Sequence, residues 1–292
     1  MQIKNINRVL LFFEDKTGRT DTLEELQTKY QIDPDGTNFY YGINQVNVDN
    51  FAARGTALNP THEAFYNTLL TSLQESTDDE KTLMLGVEPP SDGTPQPYAY
   101  VSAHMDLVAQ LAADLTKVQA RATAAGKRLN IVVRYASEMN DTHQSQGGNP
   151  TAFKSTFAQV RHAFAEAAPS VLLSFSPALR ADLAEALITQ YWPGDEFVDV
   201  IGGTWYIGAP GQQAASIANM RAYFIHRLGT GKSFALSEMG GCNAAGLGND
   251  AVLEGMFHQL EALQLQNVSF KYVTVFLAAK WGKDATLSFL RT

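Results

Sequence analysis

The sequence predicts an α/β protein that folds as a (β/α)₈ TIM barrel, with residues 1–292 forming a single domain. Short apolar runs alternate with longer amphipathic runs along the whole chain, and this alternation is typical of a parallel sheet covered by helices. The length of 292 residues also fits a barrel of about 250 residues. An open doubly wound sheet usually has a Gly-rich phosphate loop after its first strand, whereas residues 13–18 contain a single glycine.

The apolar runs predict eight strands and the amphipathic runs predict seven helices. The predicted strands are Val9–Phe13, Phe39–Val46, Thr82–Val87, Leu129–Tyr135, Val171–Phe175, Val198–Gly203, Ser233–Ser237 and Val268–Leu277. The predicted helices are Leu23–Tyr30, His62–Gln74, Tyr100–Ala125, Ala152–Ala168, Arg180–Gln190, Gln213–Leu228 and Ala251–Gln264. Only residues 281–292 follow the eighth strand, so the last helix is expected to be short or absent.

Composition and charge narrow the possible partners. Hydrophobic residues make up 45% of the chain and charged residues 18%, which allows a large core and disfavours disorder. The net charge of −8 disfavours nucleic acid, because phosphate binding needs a basic face. It also mildly disfavours a strongly anionic polysaccharide. No stretch approaches the roughly 20 apolar residues of a membrane span, so we expect a soluble protein without a membrane partner.

The remaining sequence signals concern export, cysteine chemistry and cofactors. The first residues lack a basic segment followed by a long apolar stretch, so no signal peptide is expected in the chain as given. Localisation stays open between the cytoplasm and secretion after removal of a leader. Cys242 is the single cysteine, which excludes an intramolecular disulfide, and no base partner for it is evident. No cluster has zinc-like spacing, so we expect neither metal nor cofactor, and we expect a monomer.

Two glutamates follow apolar strand-like runs. Glu138 comes after the predicted fourth strand, and Glu238 comes after the predicted seventh. A single glutamate at such a place is more often a solvated loop residue or the partner of an arginine. The carboxyl ends of all barrel strands meet at one face, where active sites lie, so both carboxylates are expected to reach one cleft. Two facing carboxylates are what cleavage of a glycosidic bond requires.

Arg134 precedes Glu138 by four residues on the predicted fourth strand. Because side chains alternate along a strand, Arg134, Ala136 and Glu138 are predicted to point the same way. An arginine beside the cleft would favour the ionised state of a neighbouring carboxylate.

Three sequence blocks together resemble glycoside hydrolase family 26, the clan A family of β-mannanases and related endo-glycanases. The blocks are Arg134-x-x-x-Glu138-Met139-Asn140, Gly148-x-Pro150-x-x-Phe153 and Tyr191-Trp192-Pro193-Gly194-Asp195-x-x-Val198-Asp199-x-x-Gly202-x-x-x-Tyr206. They cover about the middle third of the chain, and the motif around Glu238 extends the resemblance to the seventh strand.

The resemblance implies a retaining, endo-acting β-glycoside hydrolase with a carbohydrate substrate. It implies that Glu138 is the acid/base and Glu238 the nucleophile. Tyr206 would contact the nucleophile and Arg134 would stabilise its charge. Asn140, from the same block as Glu138, is assigned to substrate binding. The expected substrate is a neutral β-linked polysaccharide or oligosaccharide, with mannan, β-glucan and xylan all open.

The chain departs from the family pattern at three positions. Ser137 stands where the family usually has histidine before the acid/base. His143 stands where an aromatic platform is usual, and Thr204 stands where an acidic residue is common. These positions belong to the sugar subsites more than to the chemistry, so they bear on which glycan is bound.

Further candidates for substrate binding are three aromatic residues and one histidine in a loop. Trp281 follows the eighth strand, where clan A enzymes commonly place a tryptophan under the sugar; the alternative is a core aromatic. Trp205 and Tyr206 end the sixth strand, so one should face the cleft and the other the helices, and the resemblance favours Tyr206. His143 is the single histidine in a candidate active-site loop.

The sequence leaves two other functions open. A phosphosugar lyase or isomerase could use the pair Gly240-Gly241 as a phosphate cradle. Such enzymes often need a strand lysine, and only Lys271 lies in a predicted strand. A non-catalytic carbohydrate-binding barrel is the other alternative, although the presence of both Glu138 and Glu238 argues against it.

Overall fold

The computed structural model describes residues 9–12, 36–43, 66–67, 70–71, 73–74, 79–90, 96–141, 148–207, 213–241, 250–264 and 266–276. The predicted helix Leu23–Tyr30 lies outside these residues, and so do the candidates His143 and Trp281. Every position described within the predicted helix His62–Gln74 is helical.

Within the described residues, nine parallel strand segments form the sheet. They are β1 (Val9–Phe12), β2 (Gly36–Gly42), β3 (Glu80–Glu88), β4 (Arg128–Tyr135), β5 (Leu172–Phe175), β6 (Val200–Ile201), β7 (Thr204–Ile207), β8 (Ser233–Gly241) and β9 (Phe270–Phe276). The strand order is β6-β5-β4-β3-β2-β1-β9-β8-β7, and an additional pairing joins β6 to β8. That pairing closes a ring of eight strands with β7 attached to β8. The predicted (β/α)₈ barrel is confirmed.

The predicted sixth strand is split at a pair of glycines. The segments β6 and β7 flank Gly202 and Gly203. A Cβ at Gly202 would lie 2.5 Å from both Ser174 Oγ and Ser237 Oγ, so only glycine lets the chain approach the barrel interior here. Beyond the split, β7 pairs with the end of β8, with Thr204 opposite Glu238. The bend therefore brings the β7 side chains alongside the predicted nucleophile.

The described helices follow the predicted amphipathic runs. They are α1 (Pro97–Ala103), α2 (Met105–Ala124), α3 (Pro150–Ala167), α4 (Glu185–Gln190), α5 (Gln213–Ile225) and α6 (Asp250–Gln264). The predicted helix Tyr100–Ala125 is in fact two helices. The break is at His104, whose backbone leaves the helical region and whose Nδ1 lies 2.7 Å from the carbonyl oxygen of Tyr100.

The strands separate two apolar clusters. Alternate residues of β3 illustrate the division: Leu83, Leu85 and Val87 belong to the large cluster shared with the helices, whereas Met84 faces the barrel interior. The interior cluster consists of Met84, Val132, Val200, Ala235 and Tyr272. This small layer fills the barrel below the rim, as expected for a packed barrel rather than a pore. No helix within the described part of the chain is long and apolar enough to cross a membrane.

Candidate active site

Arg134 and Glu238 form a buried ion pair at the carboxyl ends of their strands. Arg134 Nη1 lies 2.5 Å from Glu238 Oε1, and the two residues are 0% and 5% exposed. Arg134 Nη2 also donates to Thr204 Oγ1 at 3.3 Å. A guanidinium can fix a carboxylate in one orientation because its donors are held in a rigid fork. The structure thus brings together the arginine and the strand-eight glutamate that the sequence singled out.

Tyr206 holds the second oxygen of the same carboxylate. Its hydroxyl donates to Glu238 Oε2 at 2.8 Å, and the Tyr206 side chain is half-buried. Thr204 and Tyr206 lie on one face of β7 because side chains alternate along a strand. Each oxygen of Glu238 therefore has a donor, and the carboxylate is oriented from two strands, by Arg134 of β4 and Tyr206 of β7.

Glu138 lies in a tight turn beyond β4 rather than on the strand itself. The strand ends at Tyr135, and Ala136 and Glu138 have left-handed backbone, with φ of 49° and 56°. The backbone N–H of Glu138 donates to the carbonyl of Ser176 at 2.9 Å. Arg134, Ala136 and Glu138 were predicted to point the same way because strand side chains alternate, but the extended backbone stops before Ala136, so that alternation does not reach Ala136 and Glu138.

A third carboxylate, Glu88, stands beside this turn and was missed in the sequence. Glu88 ends β3 and is half-buried. Its Oε1 accepts from Ser137 Oγ at 2.5 Å and from the Ser137 backbone N–H at 3.2 Å. Burial raises the pKa of Glu88 to about 7, against the opposing effects of the Ser137 hydrogen bonds and the Arg134 charge. The signal was available, since Glu88 is also a glutamate at the carboxyl end of a predicted strand.

Asn140 is placed inside the protein rather than in the cleft. Its Nδ2 donates to the carbonyl of Ala178 at 3.0 Å, and its Oδ1 accepts from the Ala178 backbone N–H at 2.8 Å. The residue is 0% exposed. Because this buried amide joins the loops after β4 and β5, we correct its assignment from substrate binding to a structural one.

Trp205 also faces away from the cleft. It is 0% exposed and belongs to the cluster shared by sheet and helices. Its Nε1 donates to Ser216 Oγ of α5 at 2.9 Å. Of the two aromatic residues on β7, Tyr206 is thus the one beside the carboxylate. The assignment of Trp205 to substrate binding is corrected to packing between strand and helix.

The Trp-Pro-Gly-Asp block has a structural role. Trp192 Nε1 donates to Asp195 Oδ1 at 3.0 Å, and its ring packs edge-on against Phe175 with centroids 5.1 Å apart. Asp199 accepts from the backbone N–H of Leu173 at 2.9 Å. These contacts fix the approach to β6, so the block supports the barrel wall near the site.

The signals for phosphosugar chemistry do not assemble. Gly240 and Gly241 lie within β8, opposite Tyr206 and Ile207, and a Cβ on Gly241 would collide with Val252 of α6. Gly241 therefore allows a helix to pack closely. Lys271, the lysine of the predicted eighth strand, is the second residue of β9 and therefore lies near the amino end of that strand, away from the rim. No group of His, Cys, Asp and Glu suited to a metal is found among the described residues.

Comparisons with known proteins give the fold. No family model matches the sequence, and no curated protein is significantly similar to it. Solved structures do match. A modular endo-β-1,4-mannanase of family 26 from Cellulomonas fimi is 16% identical, with 99% of this chain and 71% of that chain covered and a TM-score of 0.68.

Two further structures agree with this match. A family 26 β-mannanase from Bacteroides ovatus is 16% identical, with 99% and 89% of the two chains covered and a TM-score of 0.67. GH26C from Muricauda sp. MAR_2010_75 is 14% identical, with 99% and 86% covered and a TM-score of 0.68. At such low identity the likeness establishes the architecture, and the chain has the (β/α)₈ barrel fold found in structures of glycoside hydrolase family 26.

Proposed function

We propose that this protein is a retaining, endo-acting β-glycoside hydrolase that cleaves a neutral β-linked polysaccharide or oligosaccharide. The observation that carries the proposal is the Glu238 carboxylate, held by Arg134 at 2.5 Å and Tyr206 at 2.8 Å. A carboxylate oriented in this way at the carboxyl rim of a barrel is suited to act as a nucleophile. Glu138, on the turn after β4, stands at the same rim.

In the first step, an oxygen of Glu238 attacks the anomeric carbon while Glu138 donates its proton to the leaving glycosidic oxygen. The bond between the anomeric carbon and that oxygen breaks, and a glycosyl ester forms on Glu238. Arg134 and Tyr206 keep the carboxylate from rotating, so that one oxygen is presented to the sugar. Positioning of this kind lowers the barrier by avoiding reorganisation at the moment of reaction.

In the second step, Glu138 acts as a base. Now ionised, it takes a proton from a water molecule, and the water oxygen attacks the anomeric carbon of the ester. The bond to Glu238 breaks, and its carboxylate returns to Arg134 and Tyr206. Each step inverts the configuration of the anomeric carbon, so the product retains the original configuration. Retaining enzymes hold their two catalytic carboxyl groups about 5–5.5 Å apart.

Three considerations support a neutral glycan as the substrate. The net charge is −8, and the site holds the Glu238 carboxylate that the mechanism requires in its ionised form, so a uronic acid would meet like charge. Two of the similar structures are named as family 26 mannanases. A β-mannan or β-glucan is therefore the proposed class. A panel of neutral and acidic glycans with product analysis tests it, and cleavage of uronic-acid polymers alone would contradict it.

Azide rescue tests the roles of the two glutamates. Glu238→Ala should abolish turnover, and azide should restore it by occupying the space of the nucleophile to give the α-glycosyl azide. Glu138→Ala should keep activity on substrates with good leaving groups, and azide should then yield the β-glycosyl azide. Proton NMR of early wild-type products should show the β-anomer. Inverted products, or the two azides formed the other way round, would overturn the assignment.

A further inference from the structure

Glu88 has no role in the mechanism above, although it contacts the residue next to the proposed acid/base. Its Oε1 receives two hydrogen bonds from Ser137, one from the hydroxyl at 2.5 Å and one from the backbone at 3.2 Å. Ser137 is 5% exposed. The contact therefore links a buried serine to a half-buried carboxylate, and it joins the end of β3 to the turn that carries Glu138.

The turn itself needs external support. Ala136 and Glu138 are both left-handed, a conformation that costs free energy for any residue with a Cβ and persists only where its surroundings enforce it. The N–H of Ala136 donates to the carbonyl of Val87 at 2.9 Å, and that of Glu138 donates to Ser176 at 2.9 Å. Between them, the N–H of Ser137 donates to Glu88. Of the three residues that accept hydrogen bonds from these backbone N–H groups, only Glu88 accepts with its side chain.

Several charged or titratable groups surround the Glu88 carboxyl. Arg134 on β4 attracts its negative charge and Glu238 on β8 repels it. The hydroxyl-bearing rings of Tyr98 on α1 and Tyr135 on β4 also feel the charge of Glu88. Glu88 thus lies within the electrostatic reach of the proposed nucleophile, and its bonded partner is the residue before the proposed acid.

We propose that Glu88 is a positioning residue for Glu138, which it orients by holding Ser137 and with it the turn from Ala136 to Glu138. This inference rests on the proposed function. The divergent Ser137 is then the link between the two carboxyl groups. A serine is suited to this link because it offers a hydroxyl donor in addition to its backbone N–H.

Acid catalysis matters in proportion to the basicity of the leaving group. A sugar or phenol leaving group needs the proton of Glu138, whereas dinitrophenolate departs without it. Loss of positioning should therefore slow the first class of substrate and spare the second. Damage to the nucleophile or a general loss of folded protein would slow both classes equally, so the ratio of the two rates isolates the role of Glu88.

The experiment compares kcat/KM for phenyl and 2,4-dinitrophenyl β-glycosides, with the glycone taken from whichever glycan the wild type cleaves. Glu88→Ala, which removes the acceptor of both Ser137 hydrogen bonds, should lower the phenyl value about tenfold, part of the 10²–10⁴-fold that general acid catalysis supplies, and change the dinitrophenyl value by less than about threefold. Ser137→Ala should behave in the same way. Glu80→Ala is the matched control, since Glu80 lies at the other end of β3 and bonds Arg128 and Asn130.

The Glu138→Ala background provides the second arm. If Glu88 acts through Glu138, adding Glu88→Ala to Glu138→Ala should cause no further loss on the dinitrophenyl substrate. Equal losses on both substrates, or an added loss in that background, would overturn the inference. If Glu88→Ala does not fold, Ser137→Ala decides the question alone. A wild type that cleaves no glycan and no aryl glycoside would instead disprove the proposed function.

Discussion

Arg134 Nη1 and Glu238 Oε1 lie 2.5 Å apart although the residues are 104 positions apart in the sequence. The pair joins β4 to β8 across the barrel, between strands that are not neighbours in the sheet. Removing two charges from water is costly, so a buried pair is seldom favourable for stability alone, whereas loss of one partner is strongly destabilising. The pair is accordingly better explained by a need for an oriented carboxylate than by stability.

The first prediction concerns the energetics of this pair. Arg134→Met should lower the free energy of unfolding by about 3–5 kcal/mol, because it leaves the Glu238 charge buried and unpaired. Adding Glu238→Gln should recover part of that loss. Urea denaturation of the two single variants and the double variant measures the coupling. If the losses of the two single variants simply add in the double variant, Arg134 and Glu238 do not stabilise each other. Arg128→Met is the control, since Arg128 is 70% exposed in its pair with Glu80 and exposed pairs contribute about 0–1 kcal/mol.

The second prediction concerns the hydroxyl of Tyr206. Tyr206→Phe removes the 2.8 Å bond to Glu238, and hydrogen bonds to charged groups are worth about 1.5–3 kcal/mol. We expect kcat/KM to fall roughly 10- to 100-fold with little change in stability, because Tyr206 is half-buried at the rim and water can replace its hydroxyl. The control is Tyr223→Phe, which removes a 2.7 Å bond to the carbonyl of Gly202 on the helix side. That variant should lose stability and keep its activity; the reverse pattern would reject the role of Tyr206.

Strand periodicity predicted much of this architecture. Apolar alternation is a local property, and β3, β4, β5, β8 and β9 lie within a few residues of their predicted bounds. The split between β6 and β7 was missed because it depends on a tertiary contact, the approach of Gly202 to Ser174 and Ser237. Nothing in the local sequence specifies that contact.

The site was predictable where it follows strand order and less so where it follows turn geometry. Glu238 and Arg134 meet because their strands end at one rim, which the count of strands predicts. Alternation failed at Glu138 because two left-handed residues interrupt the extended backbone. For Asn140, the motif gave no indication whether its amide faces sugar or protein, and the structure places it against Ala178.

The third prediction tests the structural assignment of Asn140. Asn140→Ala leaves the N–H and the carbonyl of Ala178 without partners in a buried place, and each such group costs about 1–3 kcal/mol. The unfolding free energy should therefore fall by several kcal/mol. For folded protein at low temperature, KM for short oligosaccharides should stay within about threefold of the wild type. A large rise in KM without loss of stability would return Asn140 to substrate binding.

The fourth prediction concerns the glycine that splits the sixth strand. Gly202→Ala places a methyl group 2.5 Å from the hydroxyl oxygens of Ser174 and Ser237, so the interior must shift. Overpacking of this kind costs about 1–3 kcal/mol, and activity should fall as well because Thr204 and Tyr206 follow directly. Gly255→Ala is the control: it lies in α6 with nothing within 4 Å, and the change should stabilise the helix by about 0.5–1 kcal/mol. Thermal unfolding of both variants makes the comparison.

The fifth prediction follows from the pKa of Glu88, which burial raises from 4.5 to about 7. Below pH 4.5 the Glu88 carboxyl is protonated in both the folded and the unfolded chain, so it does not make stability depend on pH. Between pH 4.5 and 7 the unfolded chain loses the proton while the folded protein retains it, so stability falls as pH rises. Above pH 7 the Glu88 carboxyl is ionised in both states, so stability falls no further on its account. The shift corresponds to at most about 3 kcal/mol.

Glu88→Gln removes this titration, because glutamine stays neutral and its carbonyl oxygen can still accept from Ser137. The unfolding free energy of the variant minus that of the wild type should therefore rise between pH 4.5 and 7 and level off above it. Urea denaturation at half-unit pH steps measures this difference in unfolding free energy. The contributions of titratable groups common to both proteins cancel in it. Glu80→Gln, at the far end of the same strand, should show no such rise. A difference that is flat or falls with pH would mean that the fold does not disfavour the charge of Glu88.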